Sequence, residues 1–145
     1  MLTVAAGIPD TKPLMNPNSP EALEQIKAWL TSCIESHHCT AGDGDELPSR
    51  LLDLSVSSNL IRLFSPSSEG KQKGKYIALS YCWGKNKPFT TTSETLQSRM
   101  QGFSVKDMPK TLRDAVQVSR NLGIQYLWID ALCIIQGSDE TARKD

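Results

Sequence analysis

The sequence predicts an α/β fold in which parallel strands are joined by crossover helices. Three observations carry this. Two apolar runs, Tyr76-Ile-Ala-Leu-Ser-Tyr-Cys-Trp-Gly84 and Tyr126-Leu-Trp-Ile-Asp-Ala-Leu-Cys-Ile-Ile-Gln136, lack the in/out alternation of a half-exposed strand. Between them, residues 109–122 place Leu112, Ala115, Val116, Ser119 and Leu122 at helical spacing, and Gly123 follows as a stop. The order strand, helix, strand makes a crossover that returns the chain parallel to its first strand.

The elements follow in order. Residues 1–18 hold Pro9, Pro13 and Pro17 and few apolar side chains, which reads as a disordered head. Ser19-Pro20-Glu21 opens a helix, with Ser19 as N-cap and Pro20 at the first helical position. Leu23, Ile26, Leu30 and Ile34 form its apolar stripe, which Trp29 and Cys33 widen. Two short runs, 50–56 and 60–64, flank Ser57-Ser58-Asn59 and predict a β-hairpin. Residues 65–75 read as a flexible loop, and its Lys71, Lys73 and Lys75 as solvated charge. The run 76–82 predicts a central strand. A Thr-rich loop then leads to a short helix that Ser93 caps, running to about Gln101 and stopped by Gly102. Thr111 and Asp114 have the spacing of a capping pair for the next helix. The strand 125–130 follows.

Composition narrows the function classes. The chain has 145 residues, enough for one domain, and 16 acids balance 16 bases. Without a single-sign field there is no nucleic-acid partner to expect. No run approaches the length of a membrane span, and residues 1–7 lack the basic start of a signal peptide, so no membrane association is expected and the predicted location is cytoplasmic. The four cysteines are therefore expected to be reduced, with Cys82 and Cys133 buried as small hydrophobes.

The two apolar runs, together with Met108-Pro-Lys-Thr-Leu-Arg-Asp-Ala-Val116 and Leu122-Gly123, resemble the fungal heterokaryon incompatibility (HET) domain. Trp29-Leu-Thr-Ser-Cys33, His37/His38-Cys39 and Leu47-Pro-Ser-Arg-Leu-Leu-Asp53 resemble the leader found ahead of that domain. The resemblance covers about residues 26–145. It implies non-self recognition between fungal cells, with programmed cell death as the outcome, acting through a protein partner or self-association. It also implies a distant likeness to Toll/interleukin-receptor (TIR) domains, hence a partial flavodoxin/TIR-like parallel sheet. Some TIR domains cleave NAD, so NAD enters as a cofactor by that likeness alone. Family members continue beyond the point reached here; either the hairpin 50–64 completes the sheet or the domain is incomplete, and the second, favoured reading leaves Leu127, Ile129 and Ile134 with uncovered apolar surface. The corresponding division is a head at 1–18, a leader helix and hairpin at 19–64, and the N-terminal part of a HET-like α/β domain at 76–145.

Ligands of open parallel sheets bind beyond the carboxyl ends of the strands. That makes Ser80, Tyr81, Trp83, Gly84, Asp130 and Cys133 the candidate pocket residues. A nucleotide-like ligand stacking on Trp83 or Tyr81, with Asp130 accepting from ribose hydroxyls, is the functional reading. The plainer reading makes the aromatic residues core packing and Asp130 the cap of the turn that follows its strand. Gly84-Lys-Asn-Lys lacks the spacing of a phosphate loop. A nucleophilic Cys133 would need a histidine partner from a distant segment. Cys33, His37, His38 and Cys39 supply up to three metal ligands, one short of a structural zinc site, so zinc is not expected. Asp139, Glu140, Asp43, Asp45 and Glu46 read as solvated charge. By the TIR likeness an active glutamate belongs on the helix that begins near Glu140. An interaction module is thus the leading reading, an NAD-cleaving hydrolase the alternative, and a non-functional truncated product the third. Catalysis is not expected of the residues present.

Overall fold

The computed structural model describes residues 19–36, 45–84 and 89–137. The head at 1–18, His37, His38, Cys39, Asp43, the segment after Gly84, and Asp139 and Glu140 lie outside the described residues, as does the side chain of Asp45.

Helix α1 spans Pro20–Ser36 and starts as its sequence dictates, with the Ala22 N–H donating to Ser19 Oγ at 3.2 Å. Its predicted stripe is poorly covered. Ala22 is its one buried residue, and Trp29 and Leu30 are 53% and 43% exposed. The stripe was legible; the surface that would cover it is not supplied by the described residues.

Strands β1 (Asp45–Glu46) and β4 (Lys73–Gly74) form a small antiparallel pair. The main sheet has five strands in the order β5-β7-β2-β3-β6. Here β2 is Leu51–Asp53, β3 Leu60–Phe64, β5 Tyr76–Leu79, β6 Phe103–Ser104 and β7 Tyr126–Ile129. The hairpin forms, with Leu51 opposite Phe64 and Asp53 opposite Arg62, and it joins the sheet because β2 also pairs antiparallel with β7. The predicted crossover forms as well. Helices α2 (Ser93–Gln101) and α3 (Lys110–Asn121) intervene, and β7 returns parallel to β5 with Tyr76 opposite Tyr126 and Leu79 opposite Ile129.

The fold is therefore α/β with a mixed sheet, and three expectations change. First, β5 is an end strand, not a central one, and it is half-exposed; β7 takes the central place. Second, Leu127 and Ile129 are fully buried, because the hairpin supplies the neighbour that β7 needs. Third, residues 65–75 are ordered as a 3-10 turn at Pro66–Glu69 followed by β4. Within this segment the Lys71 ammonium donates to the Tyr126 hydroxyl and lies 4.5 Å from the ring centre, so Lys71 is not merely solvated charge.

The two faces of the sheet are covered differently. One carries Leu52, Ile61, Leu63, Leu127 and Ile129, which pack with Met108, Leu112 and Val116 of the α3 region in the main core. The other carries Leu51, Phe64 and Tyr126, with Leu47, Tyr76 and Trp128 packed against them. Phe64 and Tyr126 stack at 5.0 Å between ring centres.

Several termini differ from their predicted caps. Thr92, not Ser93, precedes α2, and its N–H donates to the Thr95 hydroxyl at 2.8 Å. Helix α3 begins at Lys110 after Pro109, and Asp114 pairs with Lys110 rather than with Thr111. Gly123 does follow α3 in the left-handed region, at φ 73°. The Arg99 guanidinium of α2 lies between the Phe89 and Phe103 rings, at 3.9 and 4.4 Å from their centres, and so ties α2 to β6. No helix among the described residues is long and apolar enough to cross a membrane.

Candidate functional site

The carboxyl ends of β5 and β7 lie side by side because the strands are parallel and in register. After β7 the chain turns at once into a one-turn helix, α4 (Asp130–Cys133). This places Asp130 at the mouth of the sheet. Its Oδ1 accepts from the Ala131 N–H at 2.7 Å, and its Oδ2 accepts from the Trp83 indole Nε1–H at 2.9 Å. The expected bond to its own turn is present, and the other oxygen of Asp130 holds the aromatic side chain from the neighbouring strand end, a contact the sequence did not predict.

Tyr81 is half-buried and packs against the main core. Burial, and then the Asp130 charge, raise its hydroxyl above the ordinary tyrosine value. Trp83 is 36% exposed. Ser80 and Gly84 are exposed, the latter at φ 73°.

Cys133 does not join this group. It is 3% exposed, its Sγ accepts from the Ile129 N–H at 3.4 Å, and burial pushes its thiol up to about 12. It is a core residue, as its apolar neighbours predicted, and no nucleophile. Cys82, expected to be buried, is exposed, because β5 stands at the edge of the sheet.

Four supporting residues were not singled out from sequence. Thr91, fully buried, clamps α4: its N–H donates to the Ala131 carbonyl at 3.0 Å, and its carbonyl accepts from the Gln136 N–H at 2.7 Å. The Gln136 side chain donates to the Asp130 and Ile134 carbonyls. Arg50 Nε donates to the Cys133 carbonyl at 2.9 Å across 83 residues of sequence. Arg120, on α3, donates to the carbonyls of Leu54, Ser57, Ser58 and Leu60 and so holds the hairpin connection. No local pattern marks such contacts, since the acceptors are backbone carbonyls that any residue supplies.

At the opposite end of β7, Asp53 is buried. Its carboxylate accepts from the Ser55 hydroxyl and N–H at 2.7 and 3.0 Å and from Gln125 at 3.2 Å, with Arg62 at 3.4 Å. Burial alone would raise its pKa; the hydrogen bonds and the Arg62 charge outweigh it and hold the carboxyl below its ordinary value.

Each Asp130 oxygen already accepts one hydrogen bond, from Trp83 and from Ala131, so a ribose hydroxyl would share the carboxylate with them. Of the proposed zinc ligands, Cys33 alone is described, and it is exposed on α1. No group of three metal-binding side chains occurs among the described residues.

The sheet and its helices define an α/β domain organised on the parallel pair β5 and β7. Residues 76–145 match the family model described as Heterokaryon incompatibility protein (HET). The match begins at Tyr76, the first residue of β5, so the hairpin strands β2 and β3 complete the sheet from outside it. No curated protein and no solved structure matches the chain.

Proposed function

We propose that this chain acts in heterokaryon incompatibility as a protein-interaction module of a cell-death response. The observation that carries this reading is apolar surface at the rim of the matched segment. Trp83 and Ile134, on the strand-end loops, are 36% and 41% exposed while the core beneath them is closed. Exposed large apolar groups around a rigid centre favour docking over chemistry. Asp130 supports the same reading, because its hydrogen bonds position Trp83 rather than leave a free carboxylate.

The test is inducible expression of the chain in a filamentous fungus, scored for growth arrest and loss of viability. Wild-type chain is expected to arrest growth, and Trp83→Ala to relieve the arrest while the protein still accumulates. Incubation of the purified chain with NAD gives the opposing result. Nicotinamide release that Asp130→Ala or Trp83→Ala abolishes would overturn the interaction reading in favour of a hydrolase.

A further inference from the structure

The mouth of the sheet gathers one charge and two aromatic side chains. Asp130 is half-buried, and each of its oxygens accepts from one neutral donor, the Trp83 indole N–H at 2.9 Å and the Ala131 N–H at 2.7 Å. A carboxylate oxygen has room for a second donor, so both can still accept. No salt bridge reaches Asp130 among the described residues. Trp83 uses its N–H on Asp130, so what its exposed side chain offers a partner is ring surface. Tyr81 lies near enough for the Asp130 charge to add to burial in raising its hydroxyl. We infer that this mouth is a cation site, and that it takes an arginine side chain of a partner protein, with the guanidinium on the Asp130 carboxylate and against the Trp83 ring.

Charge and desolvation select that occupant. A partner that covers Trp83 and Ile134 must also strip water from Asp130, because Trp83 is bonded to the Asp130 carboxylate and the Ile134 N–H donates to the Asp130 carbonyl at 3.0 Å. An apolar or acidic partner would leave that charge buried against two neutral donors, a cost that opposes docking. A cation offsets it. The exposed indole adds to the attraction, since the negative face of an aromatic ring draws a cation, and tryptophan does so best. Arginine fits better than lysine. Its planar fork reaches both carboxylate oxygens at once and stacks on a ring, while an ammonium is a compact, strongly hydrated point charge. The inference rests on the interaction reading and names the partner's chemistry at that same surface.

The test follows the tryptophan indole N–H signals of the full chain by NMR while a capped tripeptide, arginine between two leucines, is added. The Trp83 signal is expected to move, with a dissociation constant of roughly millimolar order. The same peptide with citrulline keeps the shape and loses the charge; it is expected to bind roughly tenfold more weakly, with a lysine peptide between them. Asp130→Asn keeps an acceptor for the Ala131 N–H and is expected to erase the preference for arginine over citrulline. Added salt is expected to shrink that preference. Equal binding of the arginine and citrulline peptides to the wild-type chain, a comparison that needs no variant, overturns the cation site. So does a Trp83 signal that stays still, a shift confined to Trp29 or Trp128, or a preference that survives in Asp130→Asn. The growth assay decides the interaction reading separately: arrest that Trp83→Ala relieves, with no preference between the peptides, keeps that reading and overturns this one.

Discussion

The Trp83 indole donates to the Asp130 carboxylate at 2.9 Å across 47 residues of sequence. This contact fastens the end of β5 to the end of β7 where no ladder hydrogen bond reaches. It joins the last residues of the first apolar run to the one acid inside the second.

Removing that contact is expected to loosen the mouth of the sheet without unfolding it. Trp83→Phe keeps the ring and deletes the donor, so a loss of about 0.5–1.5 kcal/mol is expected in urea unfolding. Asp130→Ala also frees the Ala131 N–H and is expected to cost more, about 1–3 kcal/mol. A double-mutant cycle tests the pairing; strictly additive losses would show that the two side chains are not coupled.

Arg120 binds four carbonyls at once; on its loss water reaches those of exposed Ser57, Ser58 and Leu60, while that of buried Leu54 loses its side-chain partner. Arg120→Ala is expected to destabilise the fold by about 1–3 kcal/mol, and Arg120→Lys to restore only part, because an ammonium cannot span the planar fork. Hydrogen exchange checks the mechanism: residues 54–60 are expected to exchange faster in both variants.

Cys133 and Cys82 are expected to separate in thiol labelling followed by peptide mapping. Exposed Cys82 reacts in the native state, and buried Cys133 reacts only on unfolding. The raised thiol pKa also has a sign for stability. The folded state keeps the proton that the unfolded state releases above 9.0, so stability is full below that pH and is lost as pH rises towards about 12. Cys133→Ala is expected to flatten this alkaline limb.

Asp53 behaves oppositely. Its folded pKa lies below the ordinary 3.8, so its contribution is full above that value and is lost as pH falls through the depressed one. Asp53→Asn is expected to flatten the acid limb of a pH–stability curve followed by urea unfolding.

Local chemistry made much of the fold legible. The Ser19 cap, the α3 face of Leu112, Val116 and Ser119, the left-handed Gly123 and the hairpin 51–64 each follow from residues close in sequence, and each formed. The parallel pairing of β5 and β7 was legible too, because a helix-bearing crossover between two apolar runs leaves the chain few other routes.

Sequence by itself thus determined helices α1, α2 and α3, strands β2, β3, β5 and β7, the likeness that the family match at residues 76–145 bears out, and that Trp83 and Asp130 lie at strand ends. Tertiary structure decided between the two ways of completing the sheet in favour of the hairpin, and alone showed that β5 is an edge and β7 the centre, and that Asp130 accepts from Trp83 and Ala131. The physical reason is that an apolar run states only that a strand needs cover. Whether the cover comes from a following strand or from a hairpin encoded far earlier, as with Leu52 opposite Leu127, depends on contacts between distant segments, which no local spacing records.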